Sequence, residues 1–159
     1  MGFLSKIVAV TVLFTVLGTG VEVRSQRLPN WIRTYLSRHY SGWVLSPSTK
    51  GCSFDANKGF VFGDFDGNGT RDFAVKFTNG KKGYILAFLK RSGTYRAYVL
   101  HNYGAEDAKY SHIGILKKGS VFEYENKRLY LKHDAPNDYW CDSDAGGIHY
   151  FRNGKFVGY

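Results

Sequence analysis

Asp64, Asp66, Asn68 and Asp72 stand at relative positions 1, 3, 5 and 9 of one short stretch, with Gly67 and Gly69 between them. This is the spacing by which a loop wraps oxygen ligands around one hard cation, calcium (Ca2+) above all. The three aspartates and Asn68 would offer side-chain oxygens, and Thr70 its backbone carbonyl. The glycines permit the bends that turn alternate side chains inward. Three carboxylates on so short a loop repel one another unless a cation neutralises them. An EF-hand would require Glu at position 12, and Val75 stands there within an alternating apolar run. The loop is therefore expected between two strands, where Ca2+ would hold structure and not catalyse. A metal-free Asp-Gly hairpin is the alternative, because Asp, Asn and Gly are also turn residues.

Other chemistry is less ordered in the chain. Five histidines are present, none at the His-x-His or His-x-x-x-His spacing of a zinc pair. His112, His133 and His149 read as polar sheet positions. Asp134, Asp138, Asp142 and Asp144 cluster with His133, which suggests a second metal site or an acid–base pair, but their spacing is irregular and the Pro-Asn-Asp segment reads better as a solvated loop. No Gly-x-Ser-x-Gly elbow is present. Neither cysteine carries an enzyme signature, and no catalytic residue is assigned. Lys81-Lys82, Lys90-Arg91, Lys117-Lys118 and Lys127-Arg128 each fall at or beside an expected turn. Gathered at one end of a sheet they would form a cationic rim for an anionic polymer. Dispersed, they would serve solubility and protect strand edges.

The elements that must position these residues follow from periodicity. Pro29 to Tyr40 reads as one helix, with Ile32, Tyr35, Leu36 and His39 at helical spacing and Pro29 in its first turn. Ser46 to Gly59 reads as a loop. Phe60 to Phe65 and Asp72 to Phe77 read as the strands around the acidic loop, and Tyr84 to Leu89 as a strand buried on both faces. Thr94 to Leu100, Ile113 to Leu116, Ser120 to Tyr124, Arg128 to Lys132, Tyr139 to Cys141, Gly147 to Phe151 and Lys155 to Val157 continue the series. Turns are expected at Asn79-Gly80, Arg91-Ser92-Gly93, Glu125-Asn126 and Asn153-Gly154. The expected fold is α+β and β-rich, with one helix before a mostly antiparallel meander of about 7–9 short strands.

Residues 1–25 read as a secretory signal peptide, with a cation at Lys6, an apolar run from Ile7 to Leu17 and a cut after Ser25. The run is too short to span a bilayer. Residues 26–159 then form a single exported domain, secreted or periplasmic, without a transmembrane segment. Cys52 and Cys141 are the only cysteines, and an even pair in an exported protein reads as one disulfide. Closing so long a loop would contribute roughly 4 kcal/mol on the chain-entropy model. The net charge of +9 favours an anionic envelope polymer as partner, or another protein. Nucleic acid is not expected, because no aromatic-basic signature accompanies the lysines. The leading functional expectation is a calcium-binding structural or binding module of unspecified ligand. The alternative is an envelope enzyme or inhibitor acting on an anionic polymer or glycan.

Val61-Phe62-Gly63-Asp64-Phe65-Asp66-Gly67-Asn68-Gly69-Thr70-Arg71-Asp72-Phe73-Ala74-Val75 resembles the calcium-binding core of an FG-GAP or VCBS-type repeat. The resemblance implies that Asp64, Asp66, Asn68 and Asp72 are calcium ligands between two strands of a propeller-type blade. The loop occurs once, whereas a closed propeller needs at least about four blades. One or two blade-like sheets are therefore expected, not a closed ring. The segments Leu131 to Ala135 and Ile148 to Phe156 are similar to those of small exported bacterial proteins with one such loop, a likeness that implies no particular activity.

Overall fold

The computed structural model describes residues 27–46, 59–141 and 145–159. The expected leader, Cys52, Asp142 and Asp144 lie outside the described residues. Among those described there is one helix, α1 (Asn30–His39), and a short 3-10 turn (Asp107–Lys109). The strands are β1 (Val44–Leu45), β2 (Phe60–Gly63), β3 (Asp72–Thr78), β4 (Lys82–Arg91), β5 (Thr94–Gly104), β6 (Ser111–Leu116), β7 (Val121–Tyr124), β8 (Lys127–Tyr130), β9 (Ala135–Trp140), β10 (Gly146–Arg152) and β11 (Lys155–Gly158). All recorded pairings are antiparallel. The α+β, β-rich class holds, with open sheets; eleven strands exceed the expected number because several are very short. Among the described residues, no helix is long and apolar enough to cross a membrane.

The first sheet runs β1-β3-β4-β5, and β2 lies beyond β1 along the same edge of β3. Alternation along β3 and β4 sends side chains to two different cores. Val75, Phe77, Leu86 and Phe88 face α1, whose Ile32 and Leu36 fill that side. Trp31 stacks on Tyr95 with ring centroids 3.8 Å apart. Pro29 is not in the first turn of α1 but immediately precedes it, and its carbonyl accepts from the Ile32 and Arg33 amides. On the opposite face Ala74, Ile85 and Leu89 meet Phe65, Ile113 and Phe151. Residues Ile85 to Leu89 are thus buried on both faces, as their apolar run predicts.

The second sheet, β11-β10-β9-β6, packs on that opposite face. The β7–β8 hairpin forms a separate two-stranded piece, packed through Phe122 and Leu129 against Leu131, Ala135, Ile148 and Tyr150. The turns at Ser92-Gly93, Glu125-Asn126 and Asn153-Gly154 place both central residues at positive φ. That is the hairpin geometry whose twist matches the strands it joins.

The segment read as a solvated Pro-Asn-Asp loop is instead strand β9. Asn137 and Asp138 pair with Gly114 and Ile113 on one side and with Ile148 and Gly147 on the other. Pro136 is the second residue of β9, ahead of the ladder with β10, where a missing N–H is tolerated.

Candidate metal centres

The acidic loop joins β2 to β3, and every residue expected to carry chemistry in it is tied down. The Asp64 carboxylate accepts from the Asn68 amide at 3.0 Å and the Gly69 amide at 2.9 Å. Asp66 Oδ1 accepts from the same Asn68 amide at 3.3 Å, and Asp66 Oδ2 takes Arg91 Nε at 2.7 Å. Asn68 Oδ1 accepts from the Thr70 amide and hydroxyl, while Asn68 Nδ2 donates to the Lys90 carbonyl at 2.8 Å. These bonds curl the loop so that one carboxylate oxygen each of Asp64, Asp66 and Asp72 lies within 4.8 Å of the others.

Asp72 is the anchor. It is fully buried at the start of β3, and its two oxygens accept from the Phe65 and Lys90 amides, each at 2.8 Å. Burial pushes its pKa up to about 6; the two amides oppose that, and the charges of Asp66 and Asp64 add to it. A carboxyl held uncomfortably ionised beside two more is what an oxygen-liganded cation relieves. The donors expected from the sequence, three carboxylates, the Asn68 amide oxygen and the Thr70 backbone, are of the type calcium prefers. Asp134 clamps the loop from the second sheet, its amide donating to the Asp64 carbonyl and its carboxylate accepting from the Asp64 and Lys118 amides and from Lys117 Nζ. Burial raises the Asp134 carboxyl, but these donors outweigh it and hold it below its usual range.

Among the described residues, Asp134 and Asp138 are not brought together. Asp134 faces the acidic loop, whereas Asp138 hydrogen-bonds His101 and His149. His133 stacks on Tyr150 at 4.3 Å with its ring nitrogens against the carbonyls of Asp134 and Phe151. Lys81-Lys82 and Lys90-Arg91 lie at opposite ends of β4, about 30 Å apart at the usual strand rise. Arg91, Lys117 and Arg128 are moreover paired with Asp66, Asp134 and Glu123. The doublets therefore do not form one cationic rim.

A second cluster arises that spacing along the chain does not announce. His101 Nδ1 lies 2.9 Å from Asp138 Oδ2, and His149 Nε2 lies 2.8 Å from Asp138 Oδ1. The side chains of Asp138 and His149 are 12% and 11% exposed, and that of His101 is 42% exposed. Burial raises the Asp138 carboxyl, and the hydrogen bonds and charges of His149 and His101 bring it below its usual range. The chain matches no family model, no curated protein and no solved structure.

Proposed function

We propose that the protein is an exported calcium-binding structural or binding module, in which Asp64, Asp66, Asn68, Thr70 and Asp72 hold one Ca2+. The convergence of Asp64, Asp66 and Asp72 around a fully buried carboxyl carries this reading. The ion would neutralise the loop and fasten β2 to β3 and, through Lys90, to the end of β4. The FG-GAP or VCBS resemblance of the loop agrees with that role, and so does strand β3, which follows the loop directly where an EF-hand would place a helix. A bridge between Cys52 and Cys141 belongs to the same reading and is checked by thiol alkylation with and without reductant.

Differential scanning calorimetry tests the calcium site. Calcium raises the melting temperature of the wild-type protein, and Asp66→Ala removes that response. An unchanged wild-type melting temperature at saturating calcium would overturn the reading. The anionic-polymer enzyme is the weaker reading, since Asp134 and Asp138 serve separate networks.

A further inference from the structure

We infer that His101, Asp138 and His149 form a second metal site, selective for a borderline transition ion such as zinc and independent of the acidic loop. Three strands from two sheets supply the donors: β5 gives His101, β9 gives Asp138 and β10 gives His149. One ligand atom from each lies within 4.8 Å of the other two. A tetrahedral ion about 2.0–2.2 Å from each donor spaces them about 3.3 Å apart. The cluster therefore contracts by at most about 1.5 Å to close around one ion, a change within reach of side-chain rotation.

The local backbone is built for this convergence. The β4–β5 register shifts between Ile85 and Leu86, so that His101 opposes Ile85, Val99 opposes Leu86, and Leu100 is the extra residue. Ile85 faces the second sheet, and its partner His101 therefore does too. Uninterrupted alternation from Tyr98, which packs edge-on to Phe151 and Phe156, would have sent His101 to the other side. A bulge that re-aims one side chain is a recurring device at functional sites. Opposite Asp138 stands Gly147, so no side chain from that position crowds the carboxylate. His149, two residues further along β10, projects from the same face as Gly147.

The donor chemistry selects the ion. Two imidazoles with one carboxylate suit zinc, cobalt, nickel or copper, whereas calcium and magnesium prefer all-oxygen shells. Three protein donors leave a fourth tetrahedral position for water or a small anion. The half-exposed His101 marks the side from which solvent arrives. Tyr103 borders the site, its ring centroid 5.3 Å from that of His101 in an edge-on arrangement.

Isothermal titration with zinc, in calcium sufficient to fill the acidic loop, tests the assignment on the purified protein. The wild type takes up one equivalent of zinc. His101→Ala, at a half-exposed position whose loss leaves the core intact, weakens binding by more than the roughly 10–100-fold typical of losing an outer-shell partner. Asp138→Asn, which keeps the shape of the side chain, weakens it likewise, while Asp66→Ala leaves zinc binding unchanged. Circular dichroism verifies that each variant is folded. Absence of saturable zinc uptake by the wild type overturns the proposal, as does wild-type affinity in His101→Ala. Loss of zinc binding in Asp66→Ala alone would place zinc in the acidic loop and overturn it equally.

Discussion

Arg91 closes the acidic loop by pairing with Asp66: its Nε lies 2.7 Å from Asp66 Oδ2, in contact with a carboxylate only 1% exposed. The same guanidinium covers the Phe151 ring at 4.8 Å, so one side chain links the end of β4, the loop and β10. A charge-assisted hydrogen bond to a buried acceptor contributes more than a neutral one. Arg91→Met keeps part of the apolar stem and removes the charge. The expected result is a loss of about 1–2 kcal/mol in metal-free stability together with a larger calcium-induced rise in melting temperature. The larger rise follows because the ion must then neutralise what Arg91 had partly neutralised. Thermal scans with and without calcium check this, and a smaller rise than wild type would count against it.

Asp72 links pH to the same loop. Its folded pKa, lifted to about 6 by burial, lies above the ordinary 3.8. The stability it contributes is thus present below about pH 4 and lost as the pH rises through about 6. Metal-free protein should lose stability across that window, and calcium should restore it above the window. Asp72→Asn removes this pH dependence and the calcium response together. It also lowers metal-free stability by about 1–3 kcal/mol, because the amide cannot accept from both the Phe65 and Lys90 N–H groups. Urea titrations between pH 4 and pH 7 measure both effects.

The loop and its two strands were legible because the spacing of Asp, Asn and Gly and the alternation of strands are local properties, written between Phe60 and Phe77. Helix α1 was legible for the same reason, with Ile32 and Leu36 one turn apart. The His101–Asp138–His149 cluster was not. Its members are far apart in sequence, and only the packing of two sheets and a one-residue bulge at Leu100 unite them. Strand β9 was misread because Pro136, Asn137 and Asp138 carry the local signature of a turn, while pairing on both sides decides their state. Local propensity yields to tertiary pairing in such segments.

Lys76 offers a second pH probe, remote from the carboxylates. It is fully buried on β3, and its Nζ donates to the carbonyls of Ala108 and Ser111, pinning the 3-10 turn against the first sheet. Burial lowers its pKa to about 8 from 10.5. A depressed folded value means that stability is fullest above about 10.5 and is lost as the pH falls through about 8. Relative to Lys76→Met, whose side chain does not titrate, the wild type should gain stability by at most about 3 kcal/mol between those limits. Equal slopes of stability against pH in the two proteins would refute the assignment.

Gly63 shows that the clamp on the acidic loop depends on space as well as charge. A Cβ placed there would lie 2.6 Å from Asp134 Oδ2, 2.6 Å from Ile115 Cδ1 and 2.8 Å from a Phe65 ring carbon. Phe65 is fully buried and Asp134 is held by Lys117 and Lys118, so neither yields freely. Gly63→Ala should therefore cost about 1–3 kcal/mol through overpacking. It should also weaken calcium binding, since Asp134 no longer holds the Asp64 backbone where the loop begins. Gly158→Ala, where nothing stands within 4 Å, is the control and should stay within about 0.5 kcal/mol of wild type. Equilibrium denaturation and calcium titration of the pair decide the point: a Gly63→Ala protein as stable as Gly158→Ala would show that Asp134 can move aside and does not fix the loop.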